Sequence, residues 1–148
     1  MNTKSKFFLL IVLPMLAVAL PTAAADPSLK QIMQGLRDDL FEIADGLLVD
    51  DFDKVADGAA GIAGHAQIPP EQIQLVAGEL GAEMSTFKQF DNLVHDLSLA
   101  IAAAAEERDR DRAIENFQRM LDGCMACHAA YRERVSAALA GAGAGGPE

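Results

Sequence analysis

Five residues near the C-terminus carry the densest chemistry in the chain: Cys124-Met125-Ala126-Cys127-His128. Two thiols three residues apart, with an imidazole directly after the second, form the spacing of covalent c-type haem attachment. The thiols can bond the two haem vinyl groups, and His128 can ligate the iron. The chain has no other cysteine. A zinc site would call for further Cys or His at ligand spacing, and only His65 and His95 remain, in other segments. A thioredoxin-like pair would call for a neighbouring βαβ pattern, and no strand signal appears. The expected cofactor is one haem c, joined through Cys124 and Cys127. The alternative is a helical metal- or redox-sensing module without haem.

The motif implies export, and the N-terminus agrees with it. Lys4 and Lys6 give a short positive region, Phe7 to Leu20 an apolar one interrupted by Pro14, and Ala23-Ala24-Ala25 an A-x-A site. Residues 1–25 therefore read as a signal peptide cleaved before Asp26, with a periplasmic product. An uncleaved membrane anchor is the other reading. The apolar run is shorter than the roughly 20 residues a spanning helix needs, so no stable membrane insertion is expected after cleavage.

Removing residues 1–25 from the 148-residue chain leaves 123, enough for one domain with one core. It also sharpens the charge: 10 basic residues then face 22 acidic ones, a net charge of −12. Nucleic acid is not an expected partner, since a basic patch would be needed. An acidic surface suits a basic redox partner and serves solubility equally well.

The haem motif needs elements to position it, and the pattern is helical almost throughout. Leu29, Ile32, Met33, Leu36, Leu40, Ile43 and Leu47 step by three and four, an apolar stripe at the helical period. Lys30, Arg37, Asp38, Glu42 and Asp45 fall on the other face. Asp50-Asp51 makes a turn and can cap a second helix over about 52–63, ended by Gly64 and by Pro69-Pro70. Residues 71–80 can form a short helical turn broken at Gly81. A third long helix runs from about Glu83 to Glu107, lined by Met84, Phe87, Phe90, Leu93, Val94, Leu97 and Ile101. A fourth follows the Asp/Arg turn at 108–112, with Ile114, Phe117, Met120, Leu121, Cys124, Cys127, His128, Tyr131 and Val135 at the same period. Residues 26–140 thus read as an all-α domain, an antiparallel up-down four-helix bundle with covalent haem near one end. Residues 141–148 read as a disordered Gly/Ala tail.

Cys124 and Cys127 share a face of the fourth helix and can reach one porphyrin edge. His128 lies about 100 degrees further round and can turn under the iron. The second iron ligand must come from another helix. His128 sits about seven residues, roughly 10 Å, before Val135 near the helix end. In an up-down bundle that end is level with the starts of the first and third helices. Met33 and Met84 both match this height; Met120 is on the same helix as His128, and Met125 should face outward. Met33 is favoured because the first and fourth helices are neighbours in a closed bundle, with plain core packing as the alternative.

The stretch Cys124-Met125-Ala126-Cys127-His128-Ala129-Ala130-Tyr131-Arg132 resembles the haem-binding segment of the cytochrome c prime family, the class II cytochromes c. The order of features is also similar, four helices with the motif on the last, across about residues 28–137. Met33-Gln34-Gly35-Leu36-Arg37-Asp38-Asp39-Leu40 and Phe87-Lys88-Gln89-Phe90-Asp91-Asn92-Leu93-Val94 resemble the first and third helices of the soluble periplasmic b-type cytochromes of the same fold. There the matching methionine is an axial ligand, as an early first-helix methionine is in low-spin class II members. The resemblance therefore implies His128 and Met33 as metal ligands. High-spin members instead keep a bulky apolar residue in that region and an open sixth site, a role Leu36 or Leu40 could take. Many of them dimerise, so a homodimer is possible on this resemblance.

The expected function is single-electron transport through a low-spin haem with His/Met ligation, docking transiently on redox partner proteins. A five-coordinate protein binding nitric oxide or carbon monoxide is the alternative. Arg132, one turn beyond His128, could pair with a haem propionate or stay solvated, and Tyr131 is expected to pack on haem or core. No Ser/His/Asp arrangement, paired-carboxylate site or phosphate loop stands out, so an enzyme is not expected. His65 and His95 read as surface residues.

Overall fold

A computed structural model of the chain describes residues 26–143, all helix and connections, with no strand among them. The expected signal peptide and residues 144–148 lie outside the described residues. The helices are α1 (Leu29–Val49), α2 (Phe52–Ala63), α3 (Pro70–Leu80), α4 (Met84–Glu106) and α5 (Arg110–Gly143).

Each boundary has a local cause. Ser28 opens α1 with a reciprocal cap: its hydroxyl accepts from the Gln31 amide, and the Gln31 side chain accepts from the Ser28 amide at 2.9 Å. Asp50, in the left-handed region at φ 60°, ends it. Asp51 then caps α2, accepting the Lys54 amide at 3.1 Å. Pro70 starts α3 where a missing N–H costs nothing. Gly81, at φ +53°, breaks the chain between α3 and α4 through a short 3₁₀ turn. Asp109 accepts the Arg112 amide at the start of α5. That helix continues through Gly143, so Gly141–Gly143 are helical rather than part of a disordered tail. The alanine-rich stretch before them favours this continuation.

α1, α2, α4 and α5 pack in that order, each against the next. α1 and α2 cross closely through Gly46 and Gly58: a Cβ at Gly58 would fall 2.7 Å from the Asp39 carbonyl oxygen. α2 then runs back along α4. Arg108 lies over the Phe52 ring at one end, and His65, just past α2, approaches Asp91 at the other. Leu93 and Val94 face Gly123 across the α4–α5 contact, where a Cβ would meet Leu93 at 3.3 Å. Ile43, Val55, Ile62, Ile101 and Met120 fill the core between these four helices.

One contact of a closed bundle is absent: α1 and α5 scarcely touch. The reason is length. With 12 residues, α2 covers only about 18 Å, against about 31 Å for α1 and more for α4 and α5. Beyond the end of α2 the other helices lose a wall. α3 folds across instead, packing mainly on α5, and closes a second apolar cluster of Leu29, Val76, Leu80, Tyr131 and Val135. Leu93 and Leu121, expected to point inward, are partly exposed. No helix among the described residues is long and apolar enough to cross a membrane.

Candidate functional site

A cavity of about 1050 Å³ occupies the gap between α1 and α5. This is at the upper end of the range for ligand pockets. Its walls are mostly apolar, with Leu36, Phe87, Phe90 and Val94 among them. α3 closes one side through Glu71, Gln72 and Leu75.

α5 brings the motif to this cavity. Cys124, Cys127 and His128 all line it. Both cysteines are half-buried free thiols. Burial pushes the Cys124 thiol above its usual range. Cys127 is pushed up to about 11, by burial first and then by the charges of Cys124 and Asp91. Both thiols therefore rest protonated near neutral pH. His128 is exposed to the open space of the cavity rather than buried against protein.

α1 supplies the facing wall. Met33 lines the same cavity and is 38% exposed, at the edge of the apolar stripe rather than in its centre. The core is therefore not what surrounds it. Leu36, the next turn of α1, lines the cavity too, while Leu40 packs on the bundle core. Met84 is elsewhere: it is half-buried against the second cluster and does not line the cavity. Met120 is fully buried in the core and Met125 is exposed, both in line with their helical positions.

Tyr131 is buried, with its ring edge-on to Phe87 at 5.7 Å and to Phe90 at 6.3 Å. These aromatic contacts fix the α4–α5 wall beside the thiols. Arg132 is exposed and lines the cavity. Two further cations line it, Lys30 and Arg37, although helical spacing assigned both to the outer face of α1. Arg37 also holds Asp38 at 2.8 Å. The carboxylates on the cavity are Glu71 and Asp91. His95 is exposed; His65 is half-buried, with Nε2 3.8 Å from Asp91 Oδ1.

The donor set and the space suit a covalently held haem. Two neutral thiols and an imidazole stand on one wall, a thioether stands on the other, and apolar side chains lie between. Three cations on the lining suit the two propionates. Among the described residues, no three His, Cys, Asp or Glu side chains gather as a site for a bare metal ion. The contribution of α3 was the part sequence reading missed. Its signal was present in Pro70 and the apolar spacing of Ile73, Val76 and Leu80, but nothing in that spacing shows where the helix docks.

No protein-family model, curated protein or solved structure matches this chain.

Proposed function

We propose that this chain is an exported c-type cytochrome of the four-helix-bundle kind, carrying single electrons in the periplasm, as its resemblance to the class II cytochromes c suggests. The observation that carries the reading is the convergence of Cys124, Cys127, His128 and Met33 on one apolar cavity.

Cys124 and Cys127 would hold a single haem c through thioethers, with His128 and Met33 as iron ligands and Arg132 beside a propionate. The bound haem supplies a one-electron ferric/ferrous couple, which Met/His ligation shifts to higher potential. The protein's own side chains do the rest. Leu36, Phe90 and Val94 give the cavity apolar walls that disfavour ordered water against them. Tyr131, packed edge-on against Phe87 and Phe90, ties α5 to α4 one turn beyond Cys127. Burial keeps both thiols protonated at neutral pH, which slows their oxidation to a disulfide in the folded chain. Redox partners would dock weakly at the cavity mouth through a small interface.

Leu36 favours one rival reading, a five-coordinate gas binder: it lines the cavity one turn from Met33 and could shield an open sixth site. One experiment separates the two. The protein is made alongside haem-attachment machinery, and its absorption spectrum is recorded oxidised and reduced, with and without carbon monoxide. A narrow reduced spectrum that carbon monoxide changes only weakly, at high gas concentration, is expected. Ready carbon monoxide binding would replace the carrier reading with the gas binder, and colourless protein would remove both.

A further inference from the structure

α1 is held along α2, but beyond the end of α2 it meets α5, the helix that carries the other ligand, through little besides Leu29 in the second apolar cluster. Its placement at the cavity end therefore depends on what ties that first turn. Among the described residues, the first turn of α1 makes one long-range hydrogen bond: the Leu29 amide donates to Gln72 Oε1 at 2.8 Å, across 43 residues of sequence. Leu29 is the first residue of α1, so its N–H is one of the donors a helix leaves without an internal partner. Ser28 and Gln31 serve each other in the local cap. Gln72 on α3 serves Leu29. An amide N–H needs an oxygen, so the bond also fixes the orientation of the Gln72 carboxamide.

α3 is in turn fixed to α5. Arg134 of α5 pairs with Glu79 at 3.1 Å and with Glu83, just past α3, at 2.9 Å, and its guanidinium donates to the Glu79 carbonyl at 3.2 Å. Val76 and Leu80 pack with Tyr131 and Val135 of α5 beneath these pairs. A continuous path therefore runs from α5 through α3 and Gln72 to Leu29, and Met33 is one helical turn beyond Leu29 on the same side of α1.

We propose that Gln72 is a positioning residue for Met33: it ties the first turn of α1 to the α3–α5 unit and so sets the distance between the Met33 sulfur and the iron held by His128. This rests on the His/Met reading of the site. Without the tie, the first turn of α1 keeps the packing of Leu29 in the second apolar cluster but loses its one directional hold on α3, and from Met33 onward the cavity stands between α1 and α5. The consequence is a weaker, exchangeable sixth ligand, not a lost haem, since both thioethers and His128 belong to α5.

The test uses the haem-loaded protein and three variants, Met33→Ala, Gln72→Leu and Gln72→Glu, read by reduced-state spectrum and by carbon monoxide affinity. Gln72→Leu removes the acceptor at similar size and is expected to raise carbon monoxide affinity by about tenfold, the factor that one net hydrogen bond corresponds to. Gln72→Glu keeps an acceptor and is expected to stay close to wild type, which a general loss of stability would not predict. Wild-type carbon monoxide affinity in Gln72→Leu, with Met33→Ala converted to high spin, would overturn the role of Gln72 alone. An unchanged spectrum in Met33→Ala would overturn the ligand reading itself, and the positioning role with it.

Discussion

Met33 and His128 line one cavity from two helices that scarcely touch each other. They are far apart in the chain and are brought to the same space by the antiparallel packing of α1, α2, α4 and α5. Met84, which matches the same height in the bundle, packs into the second apolar cluster instead. The expected outcome of Met33→Ala is therefore conversion of a low-spin to a high-spin spectrum and gain of carbon monoxide binding. Met84→Ala should keep the low-spin spectrum and show only a core-truncation loss of stability. If Met84→Ala is the variant that turns high spin, the ligand assignment moves to α4.

Arg132 tests the charge on the cavity. It is exposed, so a pairing with a haem propionate would be a surface ion pair, about 0–1 kcal/mol. A nearby cation favours the reduced, less positive state of the haem. Arg132→Gln should then lower the reduction potential by no more than about 40 mV for a one-electron couple. Redox titration at low and high salt measures this, and the difference should shrink as salt screens the pair. A rise in potential would show that Arg132 does not face the haem.

Much of this architecture is legible in the sequence because the signals are local. Asp51, Gly64 and Pro70 mark where α2 and α3 begin and end, and the stripe from Leu29 to Leu47 gives α1 its inner face. The cavity is not legible in the same way. Helical periodicity separates an inner face from an outer one, but it treats a residue facing a packed core and one facing open space alike. Ile43 and Met33 both belong to the stripe, yet one is fully buried and the other is 38% exposed. The difference arises from the shortness of α2 and from where α3 docks, and both depend on contacts remote in sequence. Lys30 and Arg37 reach the cavity for the same reason: with no α5 surface against it, that flank of α1 is open.

The raised thiols give a pH prediction for the haem-free chain. A thiol whose folded pKa lies above its unfolded value holds its proton longer in the folded state, so between the two values the folded protein binds more protons than the unfolded. Stability then falls as pH rises through this window. For Cys127 the window runs from the ordinary thiol value of 9.0 up to about 11. Denaturant midpoints measured from pH 8 to 11 should decline across it, and a Cys124→Ser, Cys127→Ser double variant should remove part of the decline. Alkylation of the wild-type thiols should be slow at pH 7 and accelerate across the same range. Rapid alkylation at neutral pH would mean that burial does not protect them.

Two glycines separate close packing from open surface. At Gly58 a Cβ would sit 2.7 Å from the Asp39 carbonyl oxygen and 3.0 Å from an Ile43 side-chain carbon. The obstacle includes helix backbone, which cannot rotate away, so α1 and α2 would have to part. Gly58→Ala gains helix propensity of about 1 kcal/mol, but overpacking costs about 1–3 kcal/mol. The net expectation is a loss of stability, and a loosened α1 that also weakens the Met33 side of the cavity. At Gly35, on the same α1, an added Cβ meets nothing within 4 Å. Gly35→Ala is then free to express its propensity alone and should stabilise by up to about 1 kcal/mol. Urea unfolding of both variants decides the matter. Equal effects at the two sites would mean that the α1–α2 crossing is looser than these distances make it.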